Sequence, residues 1–534
     1  MPVNWCKTCK VPLYRSKCGI CGKPGKYLAQ DVRPVFPEEV LLMEILLHKR
    51  GEFRGKSIWN TKGNRYYVDG ERVEFSLQKT IEEWEPEQVR NVWEEEKRQA
   101  LDSLNEQFVN QCERFVQANE QRFKEIEYVA LEFVNRVKTE YQNSIPVVSF
   151  SGGKDSTVVS SLVRRALGTP KILHVFGDTT LEMPNTYDYI KQFRASHRQV
   201  PFFQPSSHHD FLDLCERIGP PSRVMRWCCT VFKTGPIGDL FERFGDSNIL
   251  TFYGVRRSES VRRSKYQAVM RSPKIARQIV ASPIIDWTDF DIWLYLLSTG
   301  EPFNDSYRLG FSRVGCWCCP SNSDWSFFLS QIVFPKEAAH WREFLIAFAK
   351  RIGKKDAEVY VDSGNWKARQ GGNGMETNFG TVKFEPCATE DTARNYYLNK
   401  PIMSQLYEYF KPFGTLDFET GKSMLGEVYV KDRITGEPVL LLQGRKGQNH
   451  LKVVSLRKEN LRLLLTRIEC QIRKYQACFG CGGCPSICPA KAISLIGDDY
   501  VIDAEKCVGC MKCVAHFDQG CLVTKVTQTR RTPA

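Results

Sequence analysis

Between Ile145 and about residue 330, short apolar runs ("PVVSF", "KILHVFGD", "NILTFYGV") are separated by stretches with helical spacing. Strand-length runs alternating with helices predict a parallel sheet covered on both faces, an α/β domain over 143–330. Upstream, "SIWNTKGNRYYVDGERVEF" alternates apolar and polar residues around Lys62-Gly63-Asn64 and Asp69-Gly70, which predicts a small β module with tight turns over 29–80. From Thr80 to Gln142 the chain is rich in Glu, Gln, Lys and Arg, lacks glycine, and carries Val89, Val92 and Trp93 at helical spacing. That segment reads as a helical linker over 81–142, in one helix or two. Residues 331–465 read as a mostly helical extension, interrupted by "SGNWKARQGGNG" and a β-like "GEVYVKD...PVLLLQG", with no chemistry assigned.

Composition narrows the class. No apolar run reaches the roughly 18 residues of a membrane span, and Met1–Cys6 holds no apolar signal core, so neither a membrane nor export is expected. Lys and Arg total 75 against 62 Asp and Glu, and the formal charge of +13 favours anionic partners such as nucleotides, sulfate esters or RNA. The 21 cysteines are bunched at close spacings, which in a chain without an export signal points to metal in a reducing cytoplasm rather than to disulfides.

The two ends are too cysteine-dense to build a core without a cross-link. Cys6-x2-Cys9 and Cys18-x2-Cys21 fit a zinc ribbon or rubredoxin-like knuckle over 1–28. Over 466–534, Cys478-x2-Cys481-x2-Cys484-x3-Cys488-Pro489 is the bacterial ferredoxin run, and Cys507-x2-Cys510-x2-Cys513 repeats it, with Cys521 after a longer gap. In such a pair the fourth cysteine of each run serves the other cluster. The expected 4Fe-4S sets are therefore Cys478, Cys481, Cys484 and Cys521, and Cys507, Cys510, Cys513 and Cys488, with Cys470 left over.

After the strand ending at Phe150, Ser151-Gly152-Gly153-Lys154-Asp155-Ser156-Thr157 turns into the helix "VVSSLVRRAL". Glycines let a backbone approach an anion closely, and a helix N-terminus offers N–H groups and the positive end of the dipole. This is not a Walker A loop, because Asp155 follows Lys154. SGGKDS resembles the PP-loop of the ATP pyrophosphatase and sulfonucleotide reductase superfamily. "HVFGDTTLEMPNTYDYI", with Asp178, resembles that family's second-strand segment, and "YGVRRSESVRRS" its Gly-x-Arg-Arg loop, whose Arg256, Arg257, Arg262 and Arg263 could hold a sulfate or phosphate bidentately.

Cys228-Cys229 in "MRWCCTVFK" and Cys316-x2-Cys319 in "VGCWCCPSN" could together close a four-thiolate site, for iron and sulfur or for zinc. A Cys-Cys pair and a distant Cys-x2-Cys in a PP-loop domain resemble the 4Fe-4S class of adenylyl-sulfate (APS) and phosphoadenylyl-sulfate (PAPS) reductases. "PIIDWTDFDIWLYLLSTGEPFNDSYRLGF" is similar to that family's W-T-x-x-D-[VI]-W...P-x-N-x-x-Y stretch. The resemblance implies Cys228, Cys229, Cys316 and Cys319 as ligands of a third cluster, with Cys318 extra, and Lys154, Asp178, Arg256 and Arg257 as catalytic residues. Two departures stand out: the family's tail cysteine is missing, leaving Cys387 as a weak substitute, and the loop is intact as in ATP-splitting members.

The expected activity is reduction of an adenylyl sulfate to sulfite with electrons from the chain's own ferredoxin domain, itself supplied by an electron donor protein. The alternative is ATP-dependent thiolation of RNA or DNA, favoured by the intact loop and by a β module that resembles PUA-like segments.

Overall fold

The computed structural model describes residues 2–368, 381–497, 499–515 and 528–531. The chain divides into two compact units. The first holds Met1–Pro205, Ser247–Arg271 and Gln278–Phe344; the second holds Ser206–Asp246, Ser272–Arg277 and Leu345–Ala534.

In the first unit, Val3–Cys6, Val11–Leu13 and Lys26–Ala29 pair into a three-stranded antiparallel sheet that carries the first four cysteines. The β module follows as expected. Its strands Ile58–Thr61, Arg65–Val68 and Glu71–Val73 are joined through Gly63 and Asn64 (φ +80° and +55°) and Asp69 and Gly70 (+49° and +87°). Positive φ at both turn positions gives the twist that lets hairpin strands pair. The module also contains a helix that the sequence reading missed, α1 (Pro37–Leu46), nearly all of it buried. Its Glu39 takes two hydrogen bonds from Arg33 (2.6 and 2.7 Å) and one from the Tyr66 hydroxyl (2.8 Å).

The linker is two helices, α2 (Pro86–Ala118) and α3 (Glu120–Glu140), that break at Asn119. The break is a docking point for the knuckle. The Asn119 amide donates to the Pro12 carbonyl (2.9 Å) and accepts from the Tyr14 N–H (3.0 Å), bonds that an uninterrupted helix would not orient.

The expected parallel sheet is present. In chain order it comprises β1 (Ile145–Ser149), α4 (Lys154–Ala166), β2 (Leu173–Val175), α5 (Pro184–Ser196), β3 (Phe202–Phe203), β4 (Ile249–Phe252), β5 (Val269–Arg271), β6 (Gln278–Ala281) and α6 (Asp289–Thr299). The sheet order is β3-β2-β1-β4-β6-β5, parallel except for β5. The order reverses beside β1, and ligands of open α/β sheets bind outside the strand C-termini at such a switch point. The SGGKDS loop leaves β1 there.

The second unit corrects the expectation of a mostly helical stretch over 331–465. Helices Pro335–Arg351 and Ala357–Asp362 are followed by strands Thr381–Cys387, Glu390–Tyr397, Thr415–Asp417, Glu427–Lys431, Pro438–Gln443 and His450–Ser455. With Gln528–Arg531 these form one seven-stranded sheet. Strand Glu390–Tyr397 is dense in Glu, Asp, Asn and Arg because most of its positions are half-buried or exposed, which hides the apolar alternation. Helix α7 (Leu461–Ala477) then leads into the ferredoxin-like region, whose short helices Gly483–Ile487 and Lys512–Ala515 flank the hairpin Ile493–Ile496/Asp499–Ile502. No core boundary separates 331–465 from 466–534. Val430, Leu440 and Val453 of the sheet share one hydrophobic core with Ile468, Tyr475, Tyr500 and Ile502.

A candidate nucleotide site and the cysteine sets

The loop Ser151–Thr157 is held by side chains from three directions. Ser156 folds back, its hydroxyl donating to the Gly153 carbonyl (2.8 Å) and accepting from the Ser151 N–H (3.1 Å). Tyr307 accepts from the Lys154 N–H (3.0 Å), Asn304 donates to the Gly152 carbonyl (3.3 Å), and the Tyr189 and Thr157 hydroxyls bond at 2.8 Å. The P-x-N-x-x-Y stretch is thus the clamp on the loop. Gly152 has φ +71°, and a Cβ on Gly254, where β4 runs into the arginine loop, would stand 2.7 Å from the Asp155 backbone. Both positions exclude a side chain.

Lys154 and Arg256 are buried, each between the same two carboxylates. Lys154 Nζ lies 3.0 Å from Asp155 and 3.4 Å from Asp289, while Arg256 donates Nε to Asp155 (2.6 Å) and a terminal N–H to Asp289 (2.8 Å). Burial works against the charge on Lys154, yet the two carboxylates outweigh it and raise its pKa above the ordinary lysine value. Burial likewise opposes ionisation of Asp155 and Asp289, but Lys154 and Arg256 hold both below the usual carboxylate range. Asp31, from the start of the β module, accepts the Asp289 and Phe290 N–H groups at the start of α6 (2.9 and 3.0 Å). Burial, with the Asp289 charge beside it, pushes Asp31 up to about 6.

The four arginines expected at a sulfate or phosphate are engaged as follows in the unliganded protein. Arg256 faces carboxylates, Arg257 is tied to Asp286 and to the Tyr266 carbonyl, and Arg263 is paired with Glu259; Arg262 is exposed on the rim. Sequence reasoning missed Asp289 and Asp31, and it named Asn304 and Tyr307 only as part of the P-x-N-x-x-Y stretch, without a role. The clearest available signal was Thr288 followed by Asp291, which close a capping box and put Asp289 in the first turn of α6.

Asp178 does not reach this cluster of charges. It accepts from Tyr187 (2.9 Å), Gln204 (2.8 Å) and the Thr180 N–H (2.8 Å), which fix the loop after β2. That loop meets the Cys316 turn. The Thr179 hydroxyl is 3.4 Å from the Cys316 sulfur, and the Trp317 N–H donates to the Leu181 carbonyl (2.9 Å). Cys318 is buried, whereas Cys316 and Cys319 are partly exposed.

Cys228 and Cys229 belong to the second unit and Cys316 and Cys319 to the first. A π-helical turn, Thr230–Thr234, follows the pair, a device common at functional sites. The Cys229 thiol is held down to about 5 by a hydrogen bond with Cys228, against burial, with Lys233, Lys274 and Arg226 adding positive charge. Such a site favours thiolate, the form that binds metal.

At the N-terminus, the sulfurs of Cys6, Cys9, Cys18 and Cys21 all lie within 4.8 Å of one another, and Cys6 and Cys21 are 3.6 Å apart. A tetrahedral zinc with Zn–S bonds of about 2.3 Å needs sulfurs roughly 3.8 Å apart, so these residues fit zinc. In the second unit, Cys488, Cys507, Cys510 and Cys513, the second expected set, all line one small apolar cavity of about 20 Å³, walled by Ala490, Ile493 and Ile502. Four thiols around an apolar chamber fit an iron–sulfur cluster. Of the other set, Cys478, Cys481 and Cys484 are described, and Cys521 lies outside the described residues. Cys470 is buried in α7, Cys387 is partly exposed at the end of the strand Thr381–Cys387, and no disulfide occurs among the described residues.

The β1–loop–α4 unit, its clamp and its place at the sheet's switch point define a PP-loop nucleotide-binding domain of α/β class. Residues 145–322 match the phosphoadenosine phosphosulfate reductase domain, which places this domain in the PAPS/APS reductase family of the PP-loop superfamily. An uncharacterized protein of Methanocaldococcus jannaschii is 30% identical over 266 residues, 50% of this chain and 53% of that protein. An adenosine 5'-phosphosulfate reductase of Staphylococcus epidermidis is 25% identical over 194 residues, 36% of this chain and 76% of the enzyme. The crystal structure of a phosphoadenylyl-sulfate reductase from Candida auris covers 37% of this chain and 96% of its own, with 16% identity and a TM-score of 0.28. The matches span 53% and 60% of two uncharacterized M. jannaschii relatives, little more than half their length. Among the described residues no helix is long and apolar enough to cross a membrane.

Proposed function

We propose that the chain is an iron–sulfur sulfonucleotide reductase that converts an adenylyl sulfate to sulfite and AMP, drawing electrons from its own C-terminal cysteine domain. The observation that carries this reading is the reductase-family domain over 145–322 in one chain with two ferredoxin-type cysteine sets, one of them gathered around a single cavity.

In this reading Ser151–Thr157 and the N-terminus of α4 take the nucleotide's anionic groups. The incoming anion competes with Asp155 and Asp289 for Lys154 and Arg256, so the site exchanges internal ion pairs for ligand contacts. Arg262 on the rim is available to the far end of the ligand. Two electrons reach the sulfur and become its lone pair, the S–O bond to the phosphate breaks with its bonding pair left on the bridging oxygen, which stays with AMP, and sulfite leaves. Iron–sulfur clusters on the cysteine sets would supply one-electron steps, two for each sulfite. Cys228, Cys229, Cys316 and Cys319 are the proposed ligands of a third cluster, and the Cys316 turn abuts the loop after β2.

A second reading, ATP-dependent thiolation of RNA or DNA, is favoured by contacts between the β module and the site: Lys62 Nζ donates to the Ser258 carbonyl of the arginine loop (2.6 Å), and Asp31 caps α6. The test is an anaerobic assay of cluster-replete protein with reduced viologen, offering APS, PAPS and ATP separately and following sulfite, AMP and pyrophosphate. Sulfite from APS or PAPS supports the reductase. ATP cleaved to AMP and pyrophosphate only when RNA or DNA is added, with no sulfite, favours thiolation.

A further inference from the structure

Helix α5 serves the nucleotide loop through Tyr189, whose hydroxyl bonds that of Thr157 (2.8 Å), and also carries a row of cations that the loop does not use. Lys191 and Arg194, on α5, and Arg198, just past its end, are exposed and line a groove of about 540 Å³ whose wall is completed by Val200, Phe202 and Gln204. A second hollow of about 300 Å³ shares His197, Arg198 and Val200 with it and continues toward Pro170. Both lie within the first unit. Among the described residues no Asp or Glu lines either hollow, and none of the three cations is ion-paired. By contrast, Arg165 and Arg257, also at the surface of this unit, hold Glu127 and Asp286.

The helix dipole favours cations in the last turn, but it requires neither a groove nor the exclusion of carboxylates from it. Like charges three and four residues apart repel, so the row is unfavourable until something anionic answers it. The groove also offers ring surface. Phe202 and Tyr187 are half-buried in its wall, and the Arg194 guanidinium stands 5.5 Å from the centre of the Phe202 ring. Strand β3, which carries Phe202, is the last in its sheet, so no further strand of the sheet covers that edge. A row of cations beside an aromatic face matches a chain of phosphates with bases that stack on rings and guanidinium planes; a carboxylate-rich peptide has no use for the rings. The groove leads toward the loop after β2. Tyr187 and Gln204 both donate to Asp178 (2.9 and 2.8 Å), and the hydroxyl of the next residue, Thr179, is 3.4 Å from the Cys316 sulfur.

We propose that the groove along α5 and β3 binds single-stranded nucleic acid, with Lys191, Arg194 and Arg198 on its phosphates and Phe202 against a base. The formal charge of +13 accords with such a partner. The binding is non-covalent, and it holds whichever reaction the nucleotide loop performs, because no group of that loop takes part.

The test is fluorescence anisotropy of the full-length protein with a short labelled oligouridylate, over a salt series from about 50 to about 200 mM. Lys191→Ala, Arg194→Ala and Arg198→Ala are each expected to reduce the slope of log K against log salt by about 0.7, and the triple variant to bind about a hundredfold more weakly at about 0.1 M salt. Phe202→Leu, which keeps an apolar side chain in the wall, is expected to weaken binding about tenfold with the slope unchanged. Melting temperature and ATP affinity should stay as in the parent for the three exposed cations, which separates a binding role from a structural one. A parent protein that does not bind the oligonucleotide, or a triple variant with the parent's slope, would overturn the proposal. Displacement of the oligonucleotide by polyglutamate at equal charge would overturn the choice of nucleic acid in favour of an acidic protein segment. The assay needs neither clusters nor sulfite, so its outcome is separate from that of the reductase reading.

Discussion

Replacing Lys154 by Met removes one of two cations that share Asp155 and Asp289. At 3.0 and 3.4 Å, each of its contacts is worth about 5 kcal/mol for an effective dielectric of 20, before the cost of burying the charges is subtracted. Deleting one partner of a buried ionic group leaves unbalanced charge, here two carboxylates facing Arg256 alone, and typically costs about 3–5 kcal/mol. The transition of the first unit should fall by about 5–15 °C. Lys154→Met/Asp289→Asn restores balance with Arg256 against Asp155, and the Asn oxygen can still accept from Arg256, so most of the lost stability should return. Nucleotide binding should not return in the double variant, because the loop cation is still absent. The assay pairs scanning calorimetry with equilibrium binding of APS and ATP for both single variants and the double one. Full stability in Lys154→Met, or a double variant no more stable than Lys154→Met alone, would refute the shared-carboxylate account.

Gly254→Val should damage the same loop from behind, since its Cβ would meet the Asp155 backbone at 2.7 Å; a loss of about 1–3 kcal/mol together with lost nucleotide affinity is expected by calorimetry and titration. Asp31 supplies a pH test. Its folded-state pKa of about 6 exceeds the ordinary value of 3.8, so its contribution is most favourable below pH 4 and is lost as pH rises through 6, by about 3 kcal/mol. Asp31→Asn should flatten that decline, and a melting-temperature difference from the parent protein that stays constant between pH 4 and 7 would contradict it. Cys21→Ser should lose stoichiometric zinc by metal analysis and release the knuckle to protease, with the ferredoxin-type centres intact. Cys228→Ser and Cys316→Ser should each remove the iron of one centre and abolish sulfite formation; full iron content in either variant would remove that residue from the ligand set.

The parallel sheet was legible because its strands are buried on both faces and its loop needs glycines. The two hairpin turns were legible because Gly63, Asn64, Asp69 and Gly70 take positive φ. The cysteine spacings are local, and two sets gather in space: the knuckle sulfurs within 4.8 Å of one another, the second ferredoxin-type set around one cavity. Helix α1 was not legible, since "PEEVLLMEIL" is buried on nearly every side and shows no stripe. Strands Glu427–Lys431 and Pro438–Gln443 fall in the stretch read as β-like, whereas Glu390–Tyr397 escaped notice because a half-exposed strand tolerates "EDTARNYY", whose apolar positions are sparse. Asp289 and Asp31 form their functional contacts across the fold, Asp31 reaching a segment 258 residues away, and no local pattern announces such partners.

The most direct test of the account is a single-turnover reaction without external donor. Full-length protein is reduced, freed of reductant and mixed anaerobically with labelled adenylyl sulfate, and sulfite is measured together with the optical bleaching of the iron–sulfur centres. The account predicts one sulfite for every two electrons withdrawn, with the C-terminal centres reoxidised as it forms. Centres that stay reduced in the presence of adenylyl sulfate, with no sulfite released, would contradict it.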